Sequence, residues 1–151
     1  MKHWLIKSEP ETFSIDDLAK VKREPWSGVR NYQARNYMWK EMRIGDPALF
    51  YHSNAKPPGI VGLARVVGEP YPDPTQWDPG SEYFDPKSTE DNPRWWLVDF
   101  AFEKKFAELI PLEKLRGIES LADMVILQKG TRLSITPVAA KHFNAVMKLA
   151  R

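Results

Sequence analysis

Aromatic rings and small polar groups set side by side are the feature of this sequence best suited to chemistry. They recur at Lys7-Ser8, Trp26-Ser27-Gly28, Asn31-Tyr32, Tyr51-His52-Ser53-Asn54 and Leu133-Ser134, each where the local pattern marks the end of a strand or a turn. A pocket for a flat heterocycle needs such a set, with rings to cover its faces and hydroxyl, amide and backbone groups to bond its edge. The same residues also fit a structural reading, in which Trp26 is a lid on the core and the Ser and Asn side chains cap turns.

Other chemistries find little to work with. The chain has no cysteine, which removes disulfides, thiolate nucleophiles and cysteine-ligated zinc. Its three histidines, His3, His52 and His142, are too far apart for a His-x-x-x-His metal site. There is no Gly-x-Gly-x-x-Gly and no Gly-x-x-x-x-Gly-Lys to hold a nucleotide cofactor. His52 and Ser53 are neighbours in a strand, so their side chains point to opposite faces and form no direct nucleophile-base pair. The acidic pairs Asp16-Asp17, Asp73 with Asp78, and Glu90-Asp91 fall at helix starts and turns, where caps explain them. No catalytic residue, metal or cofactor is therefore expected. Two alternatives stay open: an enzyme acting on a nucleobase or small metabolite with His52 as base in the same pocket, and a protein-interaction module built on the segment around Trp77 and Trp95.

A length of 151 residues suits one compact domain spanning 1–151. With 42% hydrophobic and 28% charged residues the composition is that of a folded, soluble protein. No run approaches the roughly 20 apolar residues of a membrane span. Met1 to Lys7 turns polar too soon for a signal peptide, so a cytoplasmic protein with no membrane partner is expected. A net charge of +2 is far from the dense positive stripe that grips duplex nucleic acid by charge alone. Nucleic-acid binding must then draw on the rings, which are plentiful: 6 Trp, 5 Tyr and 7 Phe.

The elements that would position these residues follow from periodicity. His3 to Ser8 reads as a short strand, and Ser14 with Asp17 three residues later as the cap of a helix over Ile15 to Lys20. Asn31 caps a helix to about Met42, with Ala34, Tyr37, Met38 and Met42 on its core side. Ala48 to Asn54 and Gly59 to Gly68 read as an antiparallel strand pair, the second bent at its glycines. Glu69 to Asn92 reads as one long loop, and a loop of that length is usually functional. Arg94 to Phe106 is the strongest strand signal, with Trp96, Val98, Phe100 and Phe102 on one face. Short helices follow from Ile110 and Ile118, then a strand over Arg132 to Ile135. Thr136-Pro137 caps a final helix, His142 sits on its polar edge, and Phe143, Val146, Met147 and Ala150 are its buried stripe. Strands scattered among short helices without βα alternation indicate α+β with a mixed, barrel-like sheet.

Several segments in order resemble the EVE domain family. They are Lys2-His3-Trp4-Leu5-Ile6-Lys7-Ser8-Glu9-Pro10, Trp26 through Asn36, Gly45-Asp46 with Phe50 to Asn54, Gly59-Ile60-Val61-Gly62, Tyr71-Pro72-Asp73-Pro74-Thr75, Tyr83-Phe84-Asp85-Pro86-Lys87-Ser88, Arg94-Trp95 and Leu133 to Val138. This resemblance implies a PUA-like fold, a bent mixed and antiparallel β-barrel flanked by short helices, related to YTH domains that read methylated adenine in RNA. It implies a non-catalytic module that binds RNA or DNA through a modified base, notably a C5-modified cytosine; a monomer is expected. Carried over by position, Trp26 is a pocket wall with Val29, Arg30 and Asn31 at the rim. Lys7, Ser8, Tyr51, His52, Ser53, Asn54, Leu133 and Ser134 close the other sides. Arg35, Lys56 and Arg65 are candidate contacts to the nucleic-acid backbone. Three positions depart from the family pattern: His3, where an aromatic is frequent; Pro47, expected to interrupt its strand; and Thr136, which replaces a frequent glutamine expected beside the pocket. No basic tail precedes the domain motifs, which fits a bacterial-type cytoplasmic member.

Overall fold

In the computed structural model, which describes residues 1–130 and 132–150, the segment Pro47–His52 (β3) is buried on both faces because it lies inside the sheet. It pairs in parallel with His3–Ser8 (β1) and antiparallel with Gly59–Val66 (β4). The far side of β4 carries the 13-residue strand Asp99–Pro111 (β7), whose other edge holds Arg23–Pro25 (β2). Ile135–Val138 (β8) joins the free side of β1, giving the order β2-β7-β4-β3-β1-β8. Breaks in register at Phe50/Tyr51, Ile60/Gly62 and Leu63/Ala64 bend this sheet into a half-barrel. Glycine permits the bend: a Cβ at Gly59 or Gly62 would collide with the carbonyl oxygen of Ile110 or Lys104.

Alternation along the strands divides the core in two. Trp4, Ile6, Phe50 and Phe100 point to one face, where Trp26 joins them, and Leu5, Leu49, Tyr51 and Ile60 point to the other. The first face is covered by Ile15–Val21 (α1) and Tyr32–Asn36 (α2), the second by Leu112–Arg116 (α3) and Ala140–Leu149 (α4). As the sequence predicts, Ser14 and Asp17 form a reciprocal capping box on α1. Asn31 caps α2 by accepting from the amides of Gln33 and Ala34 at 2.9 and 3.1 Å. The helix predicted to Met42 is present, but its second half, Tyr37–Glu41, is a π-helix. Ala34, Met38 and Met42 are buried as expected.

Four expectations need correction. Pro47 begins β3 rather than interrupting it, since the first residue of a strand need not donate to the ladder. Thr136 and Pro137 are not a helix cap; they lie in β8 opposite Leu5 and Trp4, and α4 starts at Ala140. A proline is tolerated there because β8 is the sheet's edge. His142 is 4% exposed, with its ring nitrogen 2.7 Å from Asp123 Oδ1, rather than on a polar edge. The strand predicted over Arg94 to Phe106 divides at Val98: Trp96–Leu97 (β6) pairs with Tyr71–Pro72 (β5), and β7 runs on to Pro111.

The segment read as one long loop, 69–92, is ordered by buried polar residues. Gln76, fully buried, donates to the carbonyls of Asp73 and Trp95 at 2.7 and 2.9 Å and accepts from the amides of Arg94 and Trp95. Among the described residues no helix is long and apolar enough to cross a membrane.

Candidate functional site

The bend of the sheet leaves a cavity of about 470 Å³ beside Trp26, within the roughly 300–1,000 Å³ usual for small-ligand sites. Its walls come from five places in the chain: Lys7 and Ser8 at the end of β1, Thr12 and Phe13 in the turn after it, Glu24 to Arg30 from β2 and the loop beyond, Glu82 and Tyr83 from the long loop, and Ser134. The Lys7 amide donates to the Ser134 carbonyl at 2.9 Å, which joins the first and last of these segments.

Trp26 is the inner wall and a core residue at once. It is 9% exposed and meets Phe13, Phe50 and Phe100 edge-on at 6.1, 5.8 and 5.4 Å between ring centres. Its amide donates to the Val98 carbonyl at 3.0 Å, at the point where β6 and β7 part. Another wall is Tyr83, 37% exposed and seated directly on Gly28. A Cβ on Gly28 would lie 2.7 Å from that ring, and Gly28 has φ +83°, so glycine is required on both counts.

One buried carboxylate fixes this wall. Asp73 Oδ2 accepts from the Gly28 amide at 2.8 Å and from Arg30 Nη1 at 3.1 Å, while Oδ1 accepts from the Thr75 amide and hydroxyl at 2.8 and 2.6 Å. Arg30 in turn donates to the Tyr83 carbonyl at 2.8 and 3.1 Å, and its guanidinium lies over the rings of Tyr83 and Trp95 at 5.5 and 5.1 Å. Arg30 thus lines the cavity as a strut for Tyr83.

The polar groups of the cavity are mixed. Ser8 Oγ donates to the Phe13 carbonyl at 2.6 Å, leaving its oxygen as an acceptor. Burial pulls the Lys7 ammonium below the ordinary lysine range. Burial, with the negative charge of Asp99 second, pushes the Glu24 carboxyl up.

Of the predicted site residues, the structure brings Lys7, Ser8, Trp26, Val29, Arg30 and Ser134 together around this cavity. Leu133 is adjacent but does not line it, and Asn31 is occupied in capping α2. Tyr51 lies in the second core cluster, where burial raises the pKa of its phenol. Ser53 donates its amide to the Ser8 carbonyl at 3.0 Å, and Asn54, with φ +54°, forms the turn behind it. His52 Nε2 accepts from the Ile15 amide at 3.1 Å, and burial holds its pKa below the ordinary imidazole range. With that lone pair engaged at the start of α1 and the ring outside the cavity wall, the geometry does not favour the alternative in which His52 acts as a base in this pocket. Thr136 shares the parity of Val138, which puts its side chain on the second core face, away from Trp26; the expected place beside the pocket is corrected.

Arg35 donates to the Arg94 carbonyl and to Asn36 Oδ1 and lies 4.6 Å over the Tyr32 ring. Arg65 forms a bidentate pair with Glu103 at 2.7 and 2.9 Å, which raises its pKa. Lys56 is exposed beside a cis bond to Pro57, and none of these three lines the cavity. Sequence reasoning missed Thr12, Phe13, Glu24, Glu82 and Tyr83 as wall residues. Among the described residues no group of three or more His, Asp or Glu could hold a metal ion.

Comparison with known proteins agrees with this architecture. The EVE domain family profile matches residues 2–149, and the chain belongs to that family. Human thymocyte nuclear protein 1 is 42% identical over 97% of this chain and 73% of its own length. A Pseudomonas syringae protein of known structure superposes with a TM-score of 0.94 at 42% identity, covering 99% of each chain. Human THYN1 in complex with 5-methylcytosine-containing DNA superposes with a TM-score of 0.93 at 41% identity, covering 100% of this chain and 98% of that one. The fold is accordingly the PUA-like α+β fold, as the sequence resemblance implies.

Proposed function

We propose that the protein is a non-catalytic nucleic-acid-binding module that takes one modified base out of its stack and into the cavity beside Trp26. C5-modified cytosine is the first candidate and methylated adenine the second, in DNA or RNA. The observation that carries this reading is the cavity itself, large enough for a base and offering rings with polar groups around them. The relative solved with 5-methylcytosine-containing DNA supports it. The module is proposed to act as a monomer. Phosphate contacts are few: Arg35 and Arg65 are already engaged, and Lys56 is the freest of the three proposed, with no ion pair among the described residues.

Fluorescence anisotropy with matched short single strands of DNA and RNA tests the reading, using unmodified, C5-methylated and N6-methylated bases. One modification should bind tighter by about 1 kcal/mol or more, and Trp26→Ala, confirmed folded by its melting curve, should lose that gap. The salt dependence should correspond to fewer than about eight ions released. Equal, weak binding to every strand by the wild type would refute the proposal.

A further inference from the structure

One charged group on the cavity wall has no partner among the described residues: the Glu24 carboxylate makes no ion pair or side-chain hydrogen bond there, although it is partly buried. The neighbouring charges are matched: Arg23 with Asp99 at 2.7 Å, and Arg30 with Asp73 at 3.1 Å. Glu24 stands opposite Phe100 in the antiparallel β2–β7 pair, so both side chains take the same face, and Phe100 is fully buried against Trp26. This directs the carboxylate to the Trp26 side of the sheet, where it lines the cavity. Burying a charge without a hydrogen-bond partner is unfavourable, and such a group is well suited to meet a complementary group on a ligand.

An ionised carboxylate only accepts hydrogen bonds. Cytosine presents a donor at its N4 amino group and acceptors at N3 and O2. Thymine presents an acceptor at O4, a donor at N3 and an acceptor at O2. Thymine therefore turns oxygen lone pairs toward a group placed to accept from the cytosine amino group. 5-Methylcytosine and thymine share the same ring and the same methyl group, so a protein separates them only along this edge.

We propose that Glu24 reads the Watson–Crick edge of the bound pyrimidine by accepting from the exocyclic amino group, so that the cavity selects 5-methylcytosine against thymine. This inference rests on the base-binding reading above and assigns its selectivity to a named residue.

The test uses short single-stranded DNAs of one sequence carrying a single 5-methylcytosine or a single thymine at the same position. Anisotropy titrations compare wild type, Glu24→Gln and Trp26→Ala, each shown to be folded by its melting curve. The wild type should prefer 5-methylcytosine by roughly tenfold or more, the scale of one hydrogen bond to a charged group. Glu24→Gln keeps the shape but offers an amide that can either donate or accept, so the preference should fall to within about twofold. An undiminished preference in Glu24→Gln, with binding still dependent on Trp26, would overturn the inference and leave the base-binding reading standing. Equal affinity of the wild type for the two strands, with binding still lost in Trp26→Ala, would do the same, whereas binding to both strands that Trp26→Ala leaves unchanged would overturn both.

Discussion

Replacing Asp73 by Asn changes one buried oxygen to an NH₂ group, and the structure states what that should do. The two carboxylate oxygens receive four donors: Gly28 N–H and Arg30 Nη1 on one, Thr75 N–H and Oγ1 on the other. Asparagine can satisfy one pair only, and its amide then turns two hydrogens toward the donors of the other. With Asp73 1% exposed and the Arg30 side chain 21% exposed, solvent offers little relief. The loss of two hydrogen bonds to an ionised carboxylate, with buried donors left unmatched, should cost about 2–4 kcal/mol. For a chain of this size that lowers Tm by roughly 5–15 °C. The loss should also be local: freed of its anchor to Gly28 and Arg30, Tyr83 should leave the cavity wall. Differential scanning calorimetry measures the first effect, and amide hydrogen exchange across 69–92, compared with β3 and β4, measures the second. A Tm within about 2 °C of wild type, with protection of 69–92 unchanged, would refute the assignment of Asp73 as the anchor of this wall.

Other substitutions probe separate parts of the account. Gly28→Ala should weaken binding of C5-methylated strands in anisotropy titrations while costing about 1–2 kcal/mol in denaturant unfolding, because its methyl displaces Tyr83 and its φ is positive. Thr136→Val removes a fully buried hydroxyl that has no hydrogen-bond partner among the described residues, so urea titration should show stability unchanged or raised by about 1 kcal/mol, with ligand selectivity unaltered. His52→Ala should leave strand affinity within about twofold and lower stability by about 1 kcal/mol, the value of the bond to the Ile15 amide. The pH dependence follows from the histidines. Burial depresses the folded-state pKa of His52, and of His3 with help from the amino terminus, so the unfolded chain takes up these protons first. Stability should be full above about pH 6.5 and fall as the pH drops below it, with a shallower slope in His52→Ala; urea midpoints between about pH 5 and 7 measure this.

What the residues disclose in advance and what they conceal have physical causes. Local signals read well: Ser14 with Asp17, Asn31, and the Ala34/Met38/Met42 stripe are each settled by interactions within one turn or one helix face. The β3–β4 pair is legible because two apolar runs flank a short polar turn. The same signals mislead where two structures share one composition. Thr136-Pro137 suits a helix cap and an edge strand equally, and only pairing with Leu5 and Trp4 decides between them. In 69–92 the ordering residues are Asp73 and Gln76, polar types that resemble solvated turns until their partners at Gly28 and Trp95 are known. Tyr83 inherits that obscurity, although its segment is among the motifs shared with the EVE family. Glu24 carries no local signal at all, because its orientation comes from pairing with Phe100, far along the chain. Tyr51 and His52 stand one strand from Ser8, close enough in sequence pattern to suggest the cavity; the pleat turns Tyr51 to the second core face, while His52 stays on the Phe50 side and is engaged by the Ile15 amide.

The central claim, that a modified base enters the cavity beside Trp26, is tested most directly by NMR with a single-stranded DNA bearing one 5-(¹³C-methyl)cytosine. On binding, the methyl resonance should move upfield under the ring currents of Trp26 and Tyr83 and show nuclear Overhauser contacts to Lys7, Phe13 or Tyr83 side chains, and both should disappear in Trp26→Ala. A bound strand whose methyl resonance stays at its free position, or whose contacts lie outside the cavity, would contradict the account.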